Sequence, residues 1–159
     1  MNDHPVSWYV VIVLMLAAFF FMEFVAWFTH KYVMHGFLWI LHKDHHYPVP
    51  KKWQWNDLFA LIFAVPSLVL IIMGSLASLD AKFWLGIGIA LYGLAYFLLH
   101  DTLVHQRTKL LSRASNKYLR AVKSAHLDHH SGKANYGFIL MFPWKYFSGE
   151  EQKKYRSKY

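Results

Sequence analysis

The chain contains no cysteine. That excludes a disulfide framework and any thiolate metal site, so a bound metal has to be held by His, Asp, Glu or Asn. Lys and Arg are absent before Trp8, and no small-residue cleavage site follows. The first apolar run therefore reads as a retained anchor and not as a removed signal peptide. Charge is missing from two further stretches, 58–79 and 83–99.

What is present is apolar. Of the 159 residues, 56% are hydrophobic and 19% aromatic, more than a soluble domain of this size usually carries. A bilayer core of ~30 Å needs about 20 apolar residues as helix. Three runs reach that length. The first, 8–28, is interrupted only by Glu23; the second, 58–79, contains Pro66, which membrane helices tolerate. The third, 83–104, qualifies if the helix continues through His100. The short link at 80–82 makes the last two a tight hairpin. A fourth stretch, 136–147, is broken by Pro143 and Lys145 and reads as a re-entrant or interfacial segment. The expectation is an all-α integral membrane protein. A bundle of three to four transmembrane helices, in one domain over 1–159, would have cytoplasmic helical segments carrying a histidine-rich dimetal site.

Basic residues set the orientation. They are concentrated after His105, at Arg107, Lys109, Arg113, Lys117, Arg120 and Lys123. This predicts a multi-pass protein of the cell (inner) membrane, with the amino terminus outside and the carboxyl terminus cytoplasmic. The net charge of +8 is then mostly a positive-inside signature, with some attraction to anionic headgroups. No nucleic-acid motif accompanies it, so no nucleic-acid partner is expected.

Ten of the eleven histidines fall into two similar blocks. The first is His30-x4-His35 followed by His42-x2-His45-His46. The second is His100-x4-His105 followed by His126-x2-His129-His130. Positions i, i+3 and i+4 of a helix share a face, so each HxxHH unit is expected to aim three imidazoles at a common point. The HxxxxH pairs fit less well, because five residues of α-helix turn the rings about 140° apart. They must reach a site from two shoulders or use a local bulge. A straight helix from His30 to His46 would also stretch roughly 24 Å, too long for one cluster, which places a turn near Gly36. Ten neutral imidazoles exceed what one ion uses and suit iron, zinc, copper or nickel. Two metals with about five nitrogens each is the natural count.

Asp44, Asp101 and Asp128 stand beside these histidines and are candidates to accept the second ring N–H, or are plain helix-end carboxylates. Glu23, two turns before His30, is a functional candidate as an ionisable group inside a span, with a hydrogen-bonded structural role standing beside it. Tyr92 and Tyr96, on the His100 span, are candidates with Glu23 to line a substrate channel. His4 falls outside both blocks and reads as a surface residue.

The segments "HKYVMHG", "NDLFALIFA", "YGLAYFLLHDTLVHQR" and "AHLDHH" resemble the bacterial β-carotene 3-hydroxylase branch of the membrane fatty acid hydroxylase/sterol desaturase superfamily. The likeness runs from about Glu23 to Phe142 and includes Asn56-Asp57 and Gln106-Arg107, which are not histidine ligands. It implies a non-haem di-iron monooxygenase with two Fe ions as cofactor and O2 as co-substrate. The implied reaction is hydroxylation of β-carotene at C3 and C3′, through β-cryptoxanthin to zeaxanthin. Implied electron partners are reduced ferredoxin and ferredoxin reductase, and all ten histidines match the family's ligand pattern. Rival readings are a related fatty acid or sterol hydroxylase, a desaturase, a carotenoid ketolase, a metal transporter or a bis-histidine haem protein.

Overall fold

The structure, a computed structural model, describes residues 6–47, 53–111, 113–132, 139 and 143–148. All regular elements among the described residues are helical. Helix α1 (Trp8–Phe28) runs directly into a π-helical segment, Thr29–Phe37, and α2 (Trp39–His46) follows a kink at Gly36. A 3₁₀ turn, Trp55–Phe59, leads into α3 (Ala60–Leu76). Helix α4 (Ala81–Tyr96) continues as a second π-helical segment, Phe97–Val104. Helix α5 (Lys117–His130) and a 3₁₀ turn at Pro143–Phe147 complete the described chain.

Among the described residues, three continuous helical runs are long and apolar enough to cross a membrane: Trp8–Phe37, Trp55–Leu76 and Ala81–Val104, of 30, 22 and 24 residues. The first is longer than the apolar pattern suggested because its π-helical end carries polar residues onward. The second stops at Leu76, since Ser78 and Leu79 take left-handed φ of 55° and 61°. The Leu79 N–H then folds back on the Gly74 carbonyl at 2.9 Å. Asp80 caps α4 by accepting the Lys82 N–H at 3.0 Å.

Helix α4 is central and packs against both α1 and α3. Close approach explains the hydrogen side chains there. A Cβ on Gly88 would stand 2.5 Å from the Met15 carbonyl oxygen of α1, and one on Gly74 would stand 2.2 Å from the Phe83 nitrogen. Small residues let membrane helices pack backbone to backbone in this way. The outer faces carry Phe20, Phe21, Phe24 and Phe28 on α1 and Leu68, Val69, Ile72 and Leu76 on α3, all exposed. Such a surface suits lipid, not water. Lys31 marks the polar end, its ammonium 5.3 Å above the Trp27 ring and 4.9 Å above Tyr32.

Helix α5 packs beside the ends of the spans. Its Ala121 and Ala125 cover Tyr146 of the last turn, whose hydroxyl donates to Asp128 at 2.7 Å. The described part of 136–147 is thus a short turn seated on α5 and not a fourth span; the rest of that stretch lies outside the described residues, as does His4. Among the described residues, three helices are long and apolar enough to span.

Candidate metal centre

The π-helical segments resolve the awkward five-residue spacing. In a π turn the backbone bond runs from i+5 to i, so residues five apart come much closer to one face than in an α-helix. Leu38 N–H bonds the Val33 carbonyl and His105 N–H the His100 carbonyl, both at 3.0 Å. The His30 and His35 ring centroids are consequently 4.9 Å apart, and those of His100 and His105 4.7 Å. The chain then kinks at Gly36 (φ −99°, ψ −124°), which returns His42 to within 3.2 Å of His30, Nε2 to Nε2.

Nine of the ten block histidines form two groups whose ligand atoms lie within 4.8 Å of one another. The first holds His30, His35, His42, His46 and His129; the second holds His45, His105, His126 and His130. Each HxxHH unit is therefore divided, contrary to the common point expected. Its i and i+4 rings stay with their own block, and its i+3 ring crosses to the other. The reason is angular: i+3 and i+4 are adjacent residues, about 100° apart around the axis, so they face two neighbouring points. Crossing brings His35 and His129 to 2.9 Å and His129 and His46 to 3.2 Å, Nε2 to Nε2. His46 and His130 stack between the groups with centroids 4.3 Å apart.

His100 falls outside both tight groups. Its ring is sandwiched between Tyr96, at 4.5 Å, and His45, at 4.8 Å. It lies 4.7 Å from both His105 and His126. By position in the repeat it is the counterpart of His30, standing at the edge of the second group.

Hydrogen bonds aim the rings. His42 Nδ1–H donates to Asn56 Oδ1 at 2.6 Å, which leaves its Nε2 lone pair pointing into the first group. His45 Nδ1 lies 3.5 Å from Gln54 Oε1, and its buried Nε2 has no hydrogen-bond partner. Asp101 Oδ1 lies 3.3 Å from His100 Nδ1. The other two aspartates accept from other groups as well. Asp44, two residues past His42 and so on the far side of α2, accepts the Trp55 N–H at 2.7 Å. Asp128 accepts the Tyr146 hydroxyl. Asn56 and Gln54 were missed from sequence as orienting groups, although Asn56 lay within a segment of family likeness.

The donor set fits transition-metal ions. Neighbouring Nε2 atoms are 2.8–3.2 Å apart, close to the roughly 3 Å edge of a polyhedron with metal–nitrogen bonds of about 2.0–2.1 Å. Burial favours the uncharged form of seven of these imidazoles, and neighbouring imidazoles add to the effect. It lowers His42 to about 3, His46 to about 4, His129 to about 2 and His130 to about 3. His45, His105 and His126 are lowered by burial as well.

The sign gives a prediction. A depressed imidazole is already deprotonated at neutral pH, so metal displaces almost no protons from these seven rings. Uptake at pH 6, followed by calorimetry in buffers of different ionisation enthalpy, should release close to none. Affinity should fall only as pH drops toward about 4, where His46 takes up a proton. Release of several protons at pH 6 would mean rings with their ordinary pKa of about 6.5.

A cavity of about 1170 Å³ opens onto this layer. It runs from His100 and Asn56 down between α3 and α4, past Tyr96 and Tyr92, to Ile71 and Ile89. Tyr92 and Tyr96 are among the residues that line it. Glu23 stands behind the wall instead. Its carboxylate accepts the Tyr92 hydroxyl and the Ile139 N–H, each at 3.0 Å.

The sequence model of the fatty acid hydroxylase family matches residues 15–149. The chain is 42% identical over 123 residues to a beta-carotene hydroxylase of Pseudescherichia vulneris, covering 74% of this chain and 69% of that one. It is 39% identical over 127 residues to a beta-carotene hydroxylase of Pantoea ananas, covering 77% and 72%. With a chloroplastic beta-carotene hydroxylase 2 of Capsicum annuum it shares 41% identity over 125 residues, 75% of this chain but 41% of the longer protein. No solved structure matches the chain.

Proposed function

Because this chain belongs to the fatty acid hydroxylase family, we propose that it is a non-haem di-iron monooxygenase hydroxylating the β-ionone rings of β-carotene at C3 and C3′. The product sequence is β-cryptoxanthin and then zeaxanthin. The relatives' names support the substrate. The observation that carries the reading is a long apolar cavity that opens at His100, the ring standing at the edge of the two histidine groups.

The first group would hold one ion through His30, His35, His42, His46 and His129. The second would hold the other through His45, His105, His126 and His130, with His100 alongside. Iron bound there would supply reductive activation of dioxygen and transfer of one oxygen atom to a C–H bond. The chain's own residues supply position. Asn56 and Asp101 fix ring orientation, while Tyr96 stacks on His100 and keeps that ring at the cavity mouth. From Phe59 to Ile71 the α3 wall extends roughly 18 Å, so a ring end can reach the metals with its polyene still between helices or in lipid. Drawing such a substrate into water instead would forfeit about 25 cal/mol per Å² of apolar area.

Dioxygen partitions into the bilayer, whereas electrons arrive from the aqueous side. The concentration of Lys and Arg after the third span supports a cytoplasmic face for the histidine layer in the inner membrane, with the amino terminus outside. A basic face also suits reduced ferredoxin, supplied by ferredoxin reductase, as an acidic donor. Expression in cells that accumulate β-carotene, followed by chromatography of their pigments, tests the proposal. Zeaxanthin with some β-cryptoxanthin is expected. Unchanged β-carotene in cells holding folded, iron-supplied protein and a reductant would overturn it.

A further inference from the structure

Two short segments that supply no histidine to the clusters meet beside them. Arg107 lays its guanidinium on Asp57, Nη1 donating to Oδ1 at 2.5 Å and Nη2 to Oδ2 at 2.8 Å. The same Nη1 lies 3.5 Å from Asp101 Oδ1. Asp57 Oδ2 also accepts the Gln54 N–H at 3.0 Å, closing the tight turn on which Asn56 sits. That turn is tied to α2 twice, through Asn56 to His42 and through the Trp55 N–H to Asp44. On the other side, Arg107 follows His105 by two residues. Between them Gln106 holds a left-handed φ of 52°, and the Arg107 N–H returns to the Asp101 carbonyl at 2.9 Å. Non-glycine residues seldom adopt that backbone, and it persists where the surroundings hold it.

We propose that Arg107 and Asp57 form a brace that positions one histidine in each cluster. It acts on His42 through Asn56 and on His105 through the chain reversal at Gln106. A planar guanidinium on a carboxylate is a two-point contact and fixes direction as well as distance. The pair is only partly buried, so its direct worth in stability is small and its consequence is geometric. The brace links the half of the centre built by the first block to the half built by the second. It rests on the metal-centre reading and is independent of which substrate is hydroxylated.

The test is chelator competition on cobalt-loaded protein in detergent, followed by the ligand-field bands of each site, with the helical fold checked by circular dichroism. Wild-type protein should release two ions in two phases. Asn56→Ala should speed one phase by about 10–100-fold, and Asn56→Asp, which keeps an acceptor for His42, should restore it. Arg107→Gln should speed both phases and shift both sets of bands. Arg107→Lys, which offers a point charge in place of a fork, should fall between. If Arg107→Gln fails to fold, Arg107→Lys carries the test, and both phases must still move. Wild-type release from a folded Arg107 variant, or a change in one phase alone, would overturn the brace. Wild-type protein that takes up no cobalt would instead overturn the metal centre itself.

Discussion

His45→Ala should empty the site that its own block does not build. His45 belongs by sequence to the unit with His42 and His46, yet it faces His105, His126 and His130. Its loss should lower metal content from close to two ions per chain toward one. Loss of a single orienting partner outside a metal's ligands costs 10–100-fold in affinity or activity, so removal of a ligand should lower hydroxylation by more than about 100-fold. His129→Ala should do the same at the other site. The crossing is checked by combination, since residues serving one unit are non-additive. His45→Ala with His130→Ala should lose the same single ion as either alone, whereas His45→Ala with His42→Ala should lose both. The reverse pattern would show that each block keeps its own metal.

Gly93→Phe should stop turnover and leave both metals in place. Gly93 lines the cavity between Tyr92 and Tyr96, and a Cβ built there meets no atom within 4 Å. A side chain is therefore free to grow into the lumen without displacing packing. Gly→Ala in a helix is intrinsically favourable by roughly 0.5–1 kcal/mol, so Gly93→Ala should fold as well as wild type. A phenyl group should hold the substrate ring away from the metals, and misplacement of about 1 Å already costs on the order of 100-fold. Gly88 provides the contrast, because a Cβ there collides with the α1 backbone; Gly88→Phe should disrupt the bundle. Pigment analysis and metal content separate the two outcomes. Wild-type zeaxanthin from Gly93→Phe would mean that the substrate does not use this cavity.

The three spans were legible because apolar length is a one-dimensional property, and their ends shifted where the 3₁₀ turn at Trp55–Phe59, Ser78, Leu79 and the π-helical turns reshape the chain. The histidine repeat was equally legible. Its division was not. HxxHH marks one side of a helix, but His45 and His46 can be assigned to separate points only when α2 and α5 lie side by side. The HxxxxH spacing posed its problem openly, since a straight α-helix would separate His30 from His35. A local bulge was one of two solutions, and the structure uses it in both blocks, with the turn at Gly36 where it was expected. Asn56 carries no chemical signature of its own; only its 2.6 Å contact with His42 reveals what it does. Glu23, for which a functional and a hydrogen-bonded structural role stood side by side, is the opposite case. A carboxylate inside a span draws attention, yet its partners are Tyr92 and a backbone N–H behind the cavity wall.

The most direct measurement is anomalous diffraction at the iron edge from crystals of the metal-loaded protein. Two peaks are expected, one among His30, His35, His42, His46 and His129 and the other among His45, His105, His126 and His130. A single peak, or two peaks from which His45 and His129 are turned away, would contradict a centre made by exchange between the two blocks.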